Sequence, residues 1–269
     1  MMKHWKILLL SAFLVILSAC HSKDSQNEIK VGVISGPEEQ LMEVAKQVAK
    51  EKYHLNVTIV SFSDYTLPNV ALNDGSLDAN MFQHLPYLEA QIKAHNYQLV
   101  PIGKVFVYPM GLYSSTLSRL SDLPKGAKIA IPNDPSNEAR ALLLLQKADL
   151  IQLKKGADIN ATVMDIDANP QQFEIVALDA AQLPRALKDV SLSAINTNFA
   201  IPAGLSPTKD ALLAEGPDSP YANIVVVRAA NQNSPQLKNL VEALHSQAVL
   251  DKAHQLFGDS AIPAWQIKK

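Results

Sequence analysis

The fold is decided by a stretch near the amino terminus, IKVGVISGPEEQLMEVAKQVA (residues 29–49). Its first six residues are rich in valine and isoleucine and predict a short β-strand. Gly36 and Pro37, followed by two glutamates, are typical of a helix start. Apolar residues then recur at helical spacing, at Leu41, Val44, Ala45, Val48 and Ala49. The stretch therefore predicts a strand followed directly by an amphipathic helix.

The same alternation continues along the chain. Further strands are predicted at residues 55–62, 97–101, 105–113, 128–131, 162–166, 174–176, 192–195 and 224–228. Further helices are predicted at residues 86–94, 138–148, 181–187 and 236–246. Strands separated by amphipathic helices indicate βαβ units, so we expect an α/β protein whose sheets are mixed and mostly parallel.

Two long apolar runs suggest that the body is divided into two lobes. The first, residues 105–113, has proline and glycine in its middle, which often marks a bend or a strand that passes between lobes. The second covers residues 194–203. With these as two crossing segments, we predict lobe 1 from residues 29–110 plus 200–269 and lobe 2 from residues 111–199. A cleft between two such lobes is a common site for a small ligand.

Composition excludes several classes of protein. The 269 residues are 48% hydrophobic and 19% charged, which is ordinary for a folded chain and argues against intrinsic disorder. With 24 lysines and arginines against 26 acidic residues, no basic excess is present to neutralise nucleic-acid phosphates. A single cysteine excludes an internal disulfide framework and any site built from several cysteines.

The amino terminus predicts export and lipid anchoring. Positive charges precede an apolar run, residues 7–19, which as a helix would rise about 20 Å, short of the ~30 Å hydrocarbon core of a bilayer. The run ends in LSAC (residues 17–20), which resembles the lipobox of bacterial lipoproteins. We expect a signal peptide over residues 1–19, palmitate and other acyl chains on Cys20, and a flexible tether over residues 20–28. An ordinary signal peptide with a free cysteine nearby is the alternative.

Several strings of the body resemble the MetQ/NlpA family of substrate-binding lipoproteins, which serve methionine uptake transporters. They are KVGVI (residues 30–34), FSDYTLPN (62–69), DANMFQHLPYL (78–88), FVYP (106–109), IPNDPSN (131–137), AINT (194–197) and SPYAN (219–223). The resemblance covers essentially the whole chain. It implies a two-lobed periplasmic binding protein fold (type II-like), a methionine ligand, and the permease and ATPase subunits of an ABC transporter as partners.

An amino-acid ligand needs a partner for its carboxylate, and Arg140 is the candidate. It follows a helix start at residues 133–137, where a guanidinium and free backbone N–H groups could bind a carboxylate together. Asn137 lies three residues earlier and shares the same helical face. In the alternative interpretation, Arg140 makes a surface ion pair and Asn137 is a helix cap.

The other ends of the ligand need acceptors and an apolar wall. The family resemblance assigns Asn196 and Asn223 to the ammonium, because an asparagine carbonyl accepts hydrogen bonds; either could instead be a loop or turn residue. A thioether favours polarisable, aromatic surroundings. Tyr65, which follows a predicted strand end, is one candidate for that wall; the others, Phe82, His84 and Tyr87, cluster at the next strand-to-helix junction. Phe82 and Tyr87 could equally be core residues.

No catalytic or metal motif competes with this interpretation. The sequence has no nucleophile elbow, phosphate loop or dinucleotide fingerprint, and its seven histidines form no tight ligand pair. We therefore expect no enzyme, no cofactor and no metal, but a receptor on the bacterial cell envelope, facing the periplasm or the cell surface. The alternatives are a methionine derivative, a methionine-containing dipeptide or another apolar amino acid as ligand, or a surface interaction or adhesion lipoprotein on the same fold.

Overall fold

The computed structural model describes residues 27–216 and 219–266. The predicted signal peptide and the predicted lipidation site at Cys20 lie outside the described residues. In the part of the chain that is described, no helix is long and apolar enough to cross a membrane.

Strands and helices alternate along most of the described chain. The strands are β1 (Glu28–Ile34), β2 (Asn56–Phe62), β3 (Ala79–His84), β4 (Leu99–Val107), β5 (Gly111–Tyr113), β6 (Lys128–Pro132), β7 (Gln152–Leu153), β8 (Ile166–Ala168), β9 (Glu174–Leu178), β10 (Leu192–Ile195), β11 (Leu213–Ala214), β12 (Ala222–Arg228) and β13 (Ile262–Pro263). The helices are α1 (Pro37–Tyr53), α2 (Leu67–Asn73), α3 (Leu85–His95), α4 (Pro135–Lys147), α5 (Leu183–Ala186), α6 (Thr197–Ala200), α7 (Pro235–Leu244) and α8 (Gln247–Phe257).

The larger sheet has six strands in the order β13-β4-β12-β3-β1-β2. Strands β1, β2 and β3 pair in parallel, whereas β12 pairs antiparallel with both β3 and β4. One continuous apolar cluster joins this sheet to α1, α7 and α8 through residues such as Val31, Leu41, Leu240 and Val249. The amphipathic helix predicted after the first strand therefore forms part of the main core, as its spacing indicates.

The second sheet has five strands in the order β11-β5-β10-β6-β9, and β7 and β8 form a separate pair. Strands β6, β9 and β10 pair in parallel, and β5 pairs antiparallel with β10 and β11. A second apolar cluster joins this sheet to α4, with Ile129, Leu142 and Leu145 among its fully buried members. Both sheets are thus mixed, as expected for the predicted α/β fold.

The predicted strand at residues 105–113 is two strands. β4 ends at Val107 in the first sheet, and β5 begins at Gly111 in the second. Pro109, in the connection, has no N–H group to donate to a ladder. A side chain at Gly111 would come within 2.8 Å of the Tyr113 ring, so the start of β5 requires glycine. Residues 108–110 therefore carry the chain from one sheet to the other.

The return between the sheets differs from the predicted crossing at residues 194–203. The chain re-enters the first sheet only at β12, after β11 has paired with β5. Consequently β11 belongs to the second sheet, although the range 200–269 is predicted as lobe 1. The stretch after β10 nevertheless contacts the first sheet's core, through Ile201.

One predicted strand is wrong, and several elements of the structure were not predicted. The strand at residues 162–166 is wrong, because residues 163–165 form a 3₁₀ turn in which the backbone N and hydroxyl of Thr162 donate to Asp165. Strand β3 escapes the apolar pattern because Asn80 and Gln83 lie in it, bonded to Asn69 in a buried amide network. The short helix α2 and the helix α8 also escape it.

Candidate ligand-binding site

The site lies where several strands end. Tyr65 follows β2, His84 closes β3, Asn137 follows β6, and Asn196 follows β10. Side chains at the carboxyl ends of strands in an α/β sheet commonly meet a ligand. Asn223 reaches the same place from the opposite direction, because β12 runs antiparallel to β3 and its Asn223 stands beside His84.

One cavity is lined by all eight residues predicted from the sequence. The space among its lining atoms, including the part that is open to solvent, is about 340 Å³. Its lining residues are Tyr65, Phe82, Gln83, His84, Tyr87, Tyr108, Asn137, Arg140, Asn196, Thr197, Asn198 and Asn223. The structure therefore brings the predicted residues together; that they contact a ligand stays a prediction.

The start of α4 fixes the amide of Asn137. Asp134 caps the helix by accepting from the Asn137 backbone N at 3.0 Å and from its Nδ2 at 2.9 Å. The Oδ1 atom of Asn137 then accepts from Asn196 Nδ2 at 2.9 Å. The helix cap is thus Asp134, not Asn137. Because these bonds engage both ends of the Asn137 amide, its role in the structure is to orient Asn196.

His84 is held as a neutral imidazole with one defined tautomer. Its Nδ1 accepts from the backbone N of Tyr87 at 3.2 Å, so the proton resides on Nε2, which donates to Asn137 Oδ1 at 3.3 Å. Burial, and then the nearby Arg140 charge, lower the pKa of His84 to about 3. No group of three or more histidine, cysteine, aspartate or glutamate side chains able to hold a metal occurs within residues 27–216 and 219–266.

Arg140 is buried, and one edge of its guanidinium is already paired. Nε donates to Glu215 Oε1 at 2.8 Å, while Nη2 donates to the second Glu215 oxygen and to the Tyr108 carbonyl. Its Cζ lies 4.4 Å from the centre of the Tyr221 ring. The alternative interpretation predicted an ion pair at the surface. Arg140 does form an ion pair, but the pair is buried, since Arg140 is only 3% exposed. Nη1 makes no hydrogen bond to the described residues.

Glu215 also forms hydrogen bonds with residues 108–110, the segment that joins the two sheets. Its Oε2 accepts from the Met110 backbone N at 2.9 Å, and its own backbone N donates to the Met110 carbonyl at 3.0 Å. No local sequence pattern indicates this partner, because Glu215 and Arg140 are 75 residues apart.

We expect Glu215→Gln to lower the free energy of unfolding by about 2 kcal/mol, because it leaves the buried Arg140 charge without its anion. Urea denaturation of the ligand-free protein measures this change. The double variant Arg140→Met/Glu215→Gln removes both charges and should recover most of the loss. Equal stability of Glu215→Gln and the wild type would contradict a stabilising pair.

Aromatic rings form one wall of the cavity. The ring of Tyr65 lies 5.8 Å from that of Phe82 and 5.0 Å from that of Phe199. Phe82 is 5.7 Å from Tyr87, whose hydroxyl donates to the Tyr65 carbonyl at 2.9 Å. Phe82 and Tyr87 are buried core residues and cavity-lining residues at once, so the two sequence interpretations do not exclude each other.

Three residues that line the cavity carry buried polar atoms without a hydrogen-bond partner. The Oδ1 atoms of Asn196 and Asn198 and the Tyr108 hydroxyl are buried without a hydrogen-bond partner. Buried polar atoms are normally satisfied, so this cluster favours a ligand that carries donors. Sequence reasoning missed Asn198, although it stands two residues after Asn196, and Tyr108, although it belongs to a family string.

A buried carboxyl group outside the cavity lining accepts hydrogen bonds from two of the lining asparagines, Asn198 and Asn223. Glu38, in the first turn of α1, accepts from Asn198 Nδ2 at 2.9 Å and from Asn223 Nδ2 at 2.8 Å. Burial raises the pKa of Glu38 to about 8, although the two amide bonds oppose the shift. Sequence reasoning also missed Glu38, because an acidic residue in a first helical turn is ordinary and usually exposed.

Solved structures share this architecture. A periplasmic substrate-binding protein of an ABC transporter from Coxiella burnetii is 66% identical, with a TM-score of 0.85 over 88% of this chain and 100% of that chain. A nutrient-binding protein from Burkholderia cenocepacia, solved bound to methionine, is 50% identical, with a TM-score of 0.86 over 88% and 99% of the two chains. The fold is that of the periplasmic substrate-binding class.

The sequence places the chain more narrowly. A family model described as NlpA lipoprotein matches residues 29–265, and the chain belongs to that family. The D-methionine-binding lipoprotein MetQ of Salmonella typhi is 48% identical over 252 residues, which cover 93% of each chain. The family predicted from the sequence strings is therefore confirmed.

Proposed function

We propose that this protein is an extracytoplasmic receptor that captures methionine and delivers it to an ABC importer. One observation carries the proposal: a single buried cavity combines an arginine, carbonyl acceptors without partners and an aromatic wall. These are the complements of a carboxylate, an ammonium and an apolar side chain. The names of the relatives, which include methionine-binding proteins, support the same ligand.

The carboxylate is assigned to Arg140. Its Nη1 is available, and the guanidinium charge lies in a cavity from which bulk water is largely excluded, where an ionic hydrogen bond is strong. Glu215 neutralises part of that charge, so Arg140 acts as an oriented donor rather than as a free cation. The paired edge fixes the orientation of the guanidinium before the ligand arrives.

The thioether is assigned to the wall formed by Tyr65, Phe82 and Tyr87. Each sulfur–aromatic contact contributes about 0.3–1.5 kcal/mol, and the buried hydrocarbon adds to it. His84 is neutral at physiological pH, so it presents no charge to an apolar chain. The wall therefore favours a soft, uncharged side chain of intermediate length.

Delivery to a transporter requires a conformational change on ligand binding and attachment to the membrane. We assign the two sheets to two lobes that close on the ligand by bending at residues 108–110 and where the chain enters β12. Acyl chains on Cys20 would hold the protein at a membrane of the cell envelope. The lobes perform no catalysis in this scheme, and the ATPase subunit of the partner transporter consumes the ATP.

The proposal is tested by calorimetric titration of protein that has been unfolded, stripped of ligand and refolded. We expect L-methionine, D-methionine or both to bind with a dissociation constant of micromolar or below. Norleucine, which has a methylene in place of sulfur, should bind more weakly because the sulfur–aromatic contacts are lost.

Other titrants separate the alternatives. A methionine-containing dipeptide, a methionine derivative and leucine are titrated under the same conditions. If neither methionine enantiomer binds at micromolar concentration while one of these does, the assignment of methionine is wrong. If none of the compounds binds, a surface interaction or adhesion role replaces the proposal.

A further inference from the structure

Glu38 is a buried carboxyl group without a basic partner among the described residues. It is 1% exposed, and no lysine, arginine or histidine forms an ion pair with it. A buried anion of this kind is costly unless hydrogen bonds and a counter-charge stabilise it. It does not line the cavity, yet both residues that donate to it do.

The bonds to Glu38 determine which way two amides point. Each carboxylate oxygen receives one Nδ2 atom, from Asn198 at 2.9 Å and from Asn223 at 2.8 Å. When Glu38 is ionised, both of its oxygens only accept hydrogen bonds, so the NH₂ side of each amide must face it. The Oδ1 atom of each asparagine therefore lies on the other side of its amide. For Asn198, that oxygen is buried without a partner.

The same bonds join parts of the chain that lie far apart. Asn198 belongs to α6, directly after strand β10 of the second sheet, whereas Asn223 belongs to β12 of the first sheet. They are separated from Glu38 by 160 and 185 residues. Glu38 thus holds two cavity-lining amides, one from the helix that follows the second sheet and one from the first sheet, in one arrangement.

We propose that Glu38 is the positioning residue for the ligand's amino group: it orients Asn198 and Asn223 so that their carbonyl oxygens accept from the ammonium. This inference rests on the proposed function. The ligand's ammonium would also be the counter-charge that Glu38 lacks. The ammonium and the Glu38 anion, separated by the two amides, would stabilise each other in a buried region.

Electrostatics around Glu38 agree with this assignment. Without ligand, burial raises the pKa of Glu38 to about 8, and a cation in the cavity would favour its ionised form. The titratable side chains that sense its charge are Tyr65 and Tyr108, whose pKa values are raised by burial and then by Glu38. Both remain protonated and neutral at pH 7, so neither adds a second negative charge beside Glu38.

The test compares Glu38→Gln with the wild type, using methionine and 4-(methylthio)butanoate, which has the same carboxylate and thioether but no amine. A glutamine at 38 carries its own NH₂ group, which forces one asparagine to turn and present a donor to the ammonium. We expect at least a tenfold loss of methionine affinity and less than a twofold change for the amine-free acid.

The matched control is Glu39→Gln, which makes the same change at the next residue. Glu39 accepts from the Ser61 hydroxyl at 2.5 Å and lies outside the cavity lining. It should alter neither affinity. If Glu38→Gln does not fold, Asn198→Leu tests the same point, because it removes one acceptor and should weaken methionine but not the amine-free acid.

The outcomes separate this inference from the proposed function. If the wild type binds no methionine, the proposed function fails first. If the wild type binds methionine and Glu38→Gln weakens both compounds equally, or neither, then Glu38 has only a structural role and the inference is wrong. Equal weakening of both compounds by Asn198→Leu leads to the same conclusion.

Discussion

Replacing Arg140 with alanine is expected to weaken methionine binding by about 3 kcal/mol, which is roughly a hundredfold in Kd. The variant removes the donor assigned to the ligand carboxylate, so a largely buried carboxylate loses its charged partner. Calorimetric titration of refolded, ligand-stripped protein measures the change. The effect should reside mainly in the dissociation rate, because the lost contact is buried.

Controls are needed because Arg140 also pairs with Glu215. Arg119→Ala removes the same charge from a surface pair with Asp122 and should leave the affinity unchanged. Arg140→Lys keeps the charge but loses the planar fork, so we expect an intermediate affinity. An unchanged Kd in Arg140→Ala, with the protein still folded, would show that the carboxylate binds elsewhere.

The second large effect is the dependence of stability on pH through His84. Burial and the Arg140 charge lower the pKa of His84 from about 6.5 to about 3 in the folded protein. Between these values the unfolded chain binds a proton that the folded protein does not. The stability that depends on neutral His84 is therefore complete above pH 6.5 and is lost as the pH falls toward 3.

We expect the difference in unfolding free energy between the wild type and His84→Gln to shrink on acidification. Its slope is up to about 1.4 kcal/mol per pH unit. Urea denaturation at several pH values between 6.5 and 3 measures it, with the ligand removed. Comparing the two proteins cancels the contribution of Glu38, whose raised pKa acts in the opposite direction, since it destabilises the folded state as the pH rises toward 8.

The matched control for this experiment is His95→Gln, at the exposed end of the helix that His84 caps. It removes one imidazole from both states without changing the cavity. A wild-type profile parallel to that of His84→Gln would mean that His84 titrates alike in the folded and unfolded protein. The assignment of a neutral His84 imidazole in the cavity wall would then be wrong.

Local sequence patterns predict most of the elements but not their connections. The strand and helix at residues 29–49 follow from apolar spacing and a helix-start signal, and β1 and α1 confirm them. β3 was missed because it contains polar residues, which mask the apolar pattern of a buried strand. These residues can be buried only because they bond with Asn69 from another segment. The place where the chain returns to the first sheet was also missed, since the short edge strand β11 has no pattern of its own.

The site shows the same division. Its eight predicted residues follow from a family resemblance and from the chemistry of an amino acid, and the fold brings all of them to one cavity. What each amide does there could not be predicted. Asn137 is committed to Asp134 and Asn196, and Asn223 to Glu38, because hydrogen bonds are assigned only when distant segments meet.

Local patterns and residue types were enough to predict the family, the alternation of strands and helices, and eight of the twelve residues that line the cavity. Those properties depend on neighbours in the chain or on residue type. Only the folded structure reveals that Glu215 pairs with one edge of Arg140 and that the buried Glu38 accepts hydrogen bonds from two asparagines. Such pairs join residues 75 to 185 positions apart, so the charge and orientation of each group are set by burial and by partners that only the folded chain provides.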